Sequence, residues 1–391
     1  MNKRYEELDS LRGLAALCVV FFHLYQVIPI NKLFKVIFEY SPLRLFISGG
    51  ESVVLFFVLS GFVLALPYFS NKQLKYSSYI IKRICRIYLP YIFALLFAIS
   101  CREAFYTGQI KGLSSWINTF WSAPISFQLI KEHVIMLSDF LSNLNPVIWS
   151  LVHEMRISII FPLIMIIISK LDWKKALAFS ALVSLLAIVL FIIFKPASTG
   201  TEYVASLNYT ALFIIGALLA KYRSYISHKF NSLSVKVKTS VFAFGIATYL
   251  FVHPSFVIKA LIFQNISPFY RTVIDSWFIT LGAVILIIFT LNSARLSRMM
   301  RNFFVIFLGK ISYSLYLIHV VIILTVVQTL YAQGISIGIL LSGSLLVSLF
   351  IASMMYFFIE KPSIWLGKFL TRSKKMKLDE MNLESAAQKA I

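Results

Sequence analysis

Charge is scarce in this sequence. Of 391 residues only 14% are Asp, Glu, Lys or Arg, against roughly a quarter in soluble domains, while 59% are hydrophobic. Disordered, fibrous and ordinary soluble chains are thereby excluded. Acid is scarcer still, with 16 Asp and Glu against 37 Lys and Arg, a formal net charge of +21. The three cysteines, Cys18, Cys85 and Cys101, are odd in number and lack C-x-x-C or Cys/His spacing, so the sequence supports neither a disulfide framework nor a zinc site. G-x-G-x-x-G, G-x-x-x-x-G-K-[ST], G-x-S-x-G, H-E-x-x-H and paired-Asp metal loops are all missing. No metal site is expected, and ATP-driven or metal-dependent chemistry has no sequence support. No internal repeat, proline-rich linker or low-complexity block is present.

What is there is long apolar runs, with 36 Phe and 19 Tyr and a mean hydropathy of +0.83. A span needs about 20 apolar residues to cross roughly 30 Å of hydrocarbon. Ten segments qualify, near 11–30, 51–69, 88–106, 147–169, 174–194, 204–220, 239–253, 274–291, 311–330 and 337–359. The third is crowded by Pro90 and Arg102. The first ten residues carry acids as well as bases and no small-residue cleavage pattern follows, so the first run reads as a retained span.

Cytoplasmic loops collect Lys and Arg. With the N-terminus inside, the inner segments hold 26 of the 37 cations and the outer loops 9, with Arg12 and Arg156 inside spans. The expectation is an all-α polytopic membrane protein of about ten transmembrane helices with both termini cytoplasmic. The excess positive charge is then topological and no nucleic-acid partner is implied. Residues 1–370 form one membrane domain and 371–391 a charged cytoplasmic tail. The longest outer loop, 107–146, contains Trp116, Trp121 and Pro124. It reads as a segment lying in the outer membrane interface or as a plain connector.

An ionisable residue inside a span costs several kcal/mol, so each marks a candidate site. Arg12 and His23 are eleven residues apart, roughly 1,100° of helix, which puts both on one stripe about 16 Å long. Arg12 sits at the cytoplasmic mouth, where a guanidinium suits phosphate oxygens, and His23 lies deeper. The alternative is a snorkelling Arg and a core His. Glu154 falls at a depth close to that of His23, so a His–Glu pair that fixes the tautomer and raises imidazole basicity is one reading. An ion pair of Glu154 with Arg156 or Arg12 is the other. Trp149 and His153 flank Glu154, with His153 turned about 100° away. Tyr313, Tyr316 and His319, at i, i+3 and i+6, line one helix face and suit a polar cavity, unless His319 is a structural histidine. Loop 70–87 presents Lys72, Lys75, Lys82, Arg83 and Arg86, a candidate anion site that also looks like any positive-inside loop.

Four blocks together resemble the integral-membrane acyltransferase-3 family, which includes bacterial O-acetyltransferases of surface polysaccharides. They are Leu8-Asp9-Ser10-Leu11-Arg12-Gly13 with His23; Phe56-Phe57-Val58-Leu59-Ser60-Gly61-Phe62; Arg83 and Arg86 before Pro90; and Trp149-Ser150-Leu151-Val152-His153-Glu154. The run Ile311-Ser312-Tyr313-Ser314-Leu315-Tyr316-Leu317 to His319 and the triplet Glu360-Lys361-Pro362 close the pattern. The resemblance covers about residues 5–365 and is to the form without an appended hydrolase-like domain. It departs at Met155-Arg156-Ile157-Ser158, where Glu-Gln-Phe-Tyr is commoner, which leaves the role of Arg156 open.

The resemblance implies acetyl-CoA as co-substrate and acyl donor, with Arg12, Arg83 and Arg86 near its phosphates. His23, oriented by Glu154, would be catalytic, either as base or as transient acyl carrier. Trp149, Tyr313, Tyr316 and His319 would be substrate-binding. The implied acceptor is a hydroxyl of a glycan or lipid-linked glycan such as O-antigen, lipopolysaccharide or exopolysaccharide. The implied place is the bacterial cytoplasmic (inner) membrane, among its lipids. A glycan or lipid transporter without acyl chemistry is the alternative.

Overall fold

The computed structural model describes residues 5–70, 75–261 and 266–372, and no strand occurs among them. Lys72 and the tail beyond Arg372 lie outside the described residues. Among the described residues nine helices are long and apolar enough to cross a membrane. They are α1 (Glu6–Tyr25), α2 (Gly49–Phe69), α3 (Tyr76–Phe105), α4 (Ile148–Lys170), α5 (Trp173–Phe194), α6 (Tyr203–Lys221), α8 (Pro268–Asn292), α9 (Phe303–Gln333) and α10 (Ile337–Leu370). The segment expected near 239–253 forms the shorter α7 (Val235–Leu250) of 16 residues. At 1.5 Å per residue α7 covers only about 24 Å, short of the hydrocarbon thickness. It runs against α8, where a Cβ on Gly282 would strike the Tyr249 backbone and one on Gly245 the Ile285 side chain.

The helices start where the sequence supplies acceptors for orphan N–H groups. Asp172 caps α5, Ser234 caps α7 and Asn302 caps α9. The core is built by α1, α2, α6 and α9, which bury long runs such as Val19-Val20, Val58-Leu59, Leu212-Phe213-Ile214 and Leu315-Tyr316-Leu317-Ile318-His319. The rim helices expose their apolar sides: α5 buries only Ala176, Ser180, Ser184 and Ala187. Small residues set the closest approaches, as is usual where helices pack in lipid. Gly61 of α2 and Gly216 of α6 each lie directly on the other helix's backbone, at Phe213 and Val58.

The two ends are tied separately. At the basic-loop end Arg301 pairs with Glu7 at 2.5 Å, and the Lys221 ammonium donates to the carbonyls of Ile168, Ser169 and Leu171 where α4 ends. At the other end the connection 107–146 departs from the interfacial expectation. It folds back into the molecule, burying Leu113, Ile117, Trp121, Met136, Phe140 and Leu144 in the main core. Its backbone is anchored by polar ties that an interfacial strip lacks. Ser114 N–H donates to the Val27 carbonyl at 3.0 Å, Arg102 to the carbonyls of Trp121 and Ala123, and Gln328 accepts from Thr107.

Candidate active site

α1 and α9 bring together a pair of histidines from opposite ends of the chain. Gly13 of α1 sits against Gly309 of α9, with a Cβ on Gly13 falling 2.5 Å from the Gly309 nitrogen and one on Gly309 2.5 Å from the Asp9 carbonyl. The two helices run the same way, and each carries a histidine ten residues beyond its glycine. This register brings His23 Nδ1 to 2.8 Å from His319 Nε2.

The bonding pattern assigns the protons. His319 is fully buried, and its Nδ1 lies 2.9 Å from the Leu315 carbonyl, which can only accept. His319 Nδ1 therefore carries hydrogen, its Nε2 is the acceptor, and His23 donates from Nδ1. A neutral His23 in this tautomer presents Nε2 as its basic nitrogen. The face of the ring is covered by Trp116, stacked with centroids 5.2 Å apart and planes 17° from parallel.

Glu154 does not orient His23, contrary to the expectation from depth alone. Its Oε1 accepts from Arg83 Nη2 at 2.8 Å and from Ser60 Oγ at 3.2 Å. Arg83 is 9% exposed and also donates to Ser158 Oγ at 2.8 Å. The expected free phosphate clamp at Arg83 is thus a largely buried ion pair joining α3 to α4. Proline shapes it: Pro90 offers no N–H, and the turn before it, Ile84–Tyr88, widens into a π-helix. Tyr356–Glu360, ahead of Pro362, does the same in α10.

The face of α9 read from the sequence does line one polar column, although its hydroxyls are engaged. Tyr313 donates to the Ile87 carbonyl at 2.8 Å. Tyr316 lies 2.7 Å from Ser150 Oγ and its ring centroid 6.1 Å from that of His319. Ser314 donates to Glu360 at 2.7 Å. Toward the basic-loop end, Arg12 pairs with Asp9 at 3.5 Å and lies within electrostatic reach of Arg86, Glu154 and Arg83. Arg86 is exposed. From that end inward the column therefore runs from Arg86 and Arg12, past Glu154, Arg83 and Tyr313, to Tyr316 and the histidine pair.

An acyltransferase-domain model of the acyltransferase-3 family matches residues 5–359. The chain belongs to this family. No curated protein and no solved structure matches it. It is a multi-pass membrane acyltransferase, and the matched region holds every residue of the column.

The remaining candidates of the acyltransferase divide cleanly. His153 is a satisfied core histidine, bonded to Ser206 at 2.8 Å and to the Gly200 carbonyl at 3.0 Å. Arg156 is a structural clamp: it donates to the carbonyls of Leu137, Ser138 and Thr201 and to Ser206 Oγ, with its guanidinium over the Tyr203 ring. Neither pairs with Glu154. Trp149 packs edge-on to His153, with ring centroids 5.8 Å apart, and stands in the wall of a cavity at the outer end. Sequence reasoning missed the contact of Trp116 with His23 and that of His319 with His23. The equal ten-residue offsets from Gly13 and Gly309 were the signal for the second. Among the described residues no cluster of His, Cys, Asp and Glu suits a metal.

Proposed function

We propose that the protein moves an acetyl group from cytoplasmic acetyl-CoA to a hydroxyl of a surface glycan or its lipid-linked precursor in a bacterial inner membrane. The observation that carries this reading is the oriented His23–His319 pair, which leaves the lone pair on His23 Nε2, beneath Trp116. The donor enters from the basic-loop end, with its phosphates at Arg86 and Arg12, where guanidinium forks match phosphate geometry. Arg83, engaged by Glu154, holds the wall of the path instead of the phosphate.

In the step itself His23 Nε2 takes the proton of the acceptor hydroxyl as its oxygen attacks the thioester carbonyl. The C–O bond forms, the C–S bond breaks, and the proton passes from His23 to the departing thiolate. Enclosure strengthens the hydrogen bonds that guide this transfer. Family membership favours group transfer over transport.

The test is acetyl transfer by purified protein in vesicles. Substituting His23→Ala is expected to lower turnover by about 10²–10⁴-fold while insertion is unchanged, and full activity in that variant removes His23 from the mechanism. Arg86→Ala should raise the KM for acetyl-CoA with little change in kcat, and an unchanged KM contradicts the phosphate role.

A further inference from the structure

At the end of the molecule away from the basic loops lies a cavity of about 950 Å³, at the upper end of the range for ligand sites. The proposed donor path enters from the opposite end and does not use it. Its deep part is a charge network of fixed geometry. Glu51, only 6% exposed, accepts from Arg44 Nη2 at 2.7 Å and lies 3.2 Å from His253 Nε2. His253 Nδ1 is 3.7 Å from Asp275 Oδ2, and Asp275 accepts from the backbone and hydroxyl of Ser255.

The wall and the mouth differ from this floor. Trp149 and Tyr209, with ring centroids 5.9 Å apart, supply an aromatic wall. Arg271 and Lys259 are exposed at the cavity, and among the described residues neither has a carboxylate within 4.0 Å. With the floor self-neutralised, the unpaired charge facing a ligand is positive.

We propose that this cavity is the acceptor subsite and that it takes a negatively charged oligosaccharide. The sugar ring packs its C–H face on Trp149, as aromatic faces favour polarised C–H groups. Its hydroxyls reach the carboxylates and Arg44 of the floor, and its carboxylate or phosphate meets Arg271 and Lys259. The helix that carries Trp149 also touches the site, through the Ser150 hydroxyl bonded to Tyr316 beside His319. The inference deepens the acyltransferase reading and rests on it only for the acceptor's fate.

The test is binding of two probes to the full chain in nanodiscs: a glucuronate-containing tetrasaccharide and a neutral tetrasaccharide of the same linkage. The charged probe is expected to bind at least about tenfold tighter at low ionic strength, a difference of about 1.4 kcal/mol, and the preference should shrink at high salt. Lys259→Gln combined with Arg271→Gln should abolish the preference, and the charge-reversed Lys259→Glu with Arg271→Glu should invert it. Both residues are exposed, so the thermal transition should be that of the native protein. Equal affinity for the two probes, binding of neither, or a preference untouched by the substitutions overturns the proposal. Acetyl transfer by the native protein separates the two ideas. Charge-selective binding without transfer upholds the subsite and contradicts the transferase step, and transfer with no charge preference does the reverse.

Discussion

In the polar column His23 is held by His319, and Glu154 by Arg83. In the proposed step His319 is a positioning residue, accepting from His23 Nδ1. Replacing it with Ala should lower kcat by about 100-fold, the cost of misplacing a catalytic group, with the KM for acetyl-CoA unchanged. The variant His319→Gln, which keeps an acceptor, should recover part of the loss. An unchanged pH profile of kcat in His319→Ala contradicts the role. Glu154 and Arg83 present a different balance, because a buried ion pair broken on one side leaves an uncompensated charge. Glu154→Leu should cost about 3–5 kcal/mol in thermal unfolding, and joining it with Arg83→Met should restore most of that. A single substitution without effect would show the pair to be solvated. The sequence exposed these residues by their cost in a membrane, and it identified His23 and Glu154 for that reason. It misassigned their partners because depth along a helix says nothing about which neighbour faces which stripe, and the nearest cation to Glu154 sits 71 residues away on another helix.

The helices themselves were legible as apolar runs, and the one that falls short of a span, α7 at 16 residues, was already short as the run 239–253. What the runs do not encode is register. Here register comes from glycine, the one residue that lets two backbones touch, and the Gly13–Gly309 contact fixes His23 against His319. Gly309→Ala would place a Cβ 2.5 Å from the Asp9 carbonyl. The expected result is a loss of about 1–3 kcal/mol of stability together with a fall in kcat, since the helices must part to admit it. Gly343→Ala in α10, where nothing lies within 4 Å, serves as the comparison and should be neutral. If the two alanines behave alike, the glycine contact does not set the site. The π-turns ahead of Pro90 and Pro362 were likewise hidden: the prolines were visible, but the widened turn depends on how α3 and α10 pack.

At the scale of the whole molecule, the cation count of the loops gave an orientation, and the same asymmetry separates the basic entry end from the charged outer cavity. The outer loop 107–146 was the least legible part, because its aromatic residues fit a membrane surface and a protein core equally well. Its polar anchors decide for the core. The outer network has its own pH signature. Burial alone would lower the pKa of His253, but hydrogen bonds to Asp275 and Glu51 outweigh it and push the ring up to about 9. A raised folded-state pKa contributes stability in full below the unfolded value of about 6.5 and loses it as pH rises through about 9. Thermal stability should therefore decline between pH 6.5 and 9.5 by an amount on the order of 1–3 kcal/mol, and His253→Gln should remove that part of the slope. A slope that survives the substitution contradicts the network.

Acyl transfer through His23 can be read out by mass spectrometry of surface glycans from cells lacking this protein, complemented with the native chain or with His23→Ala. An acyl increment should return only with the native chain and disappear on mild alkaline treatment, as an ester does. Identical glycan acylation in all three strains would contradict it.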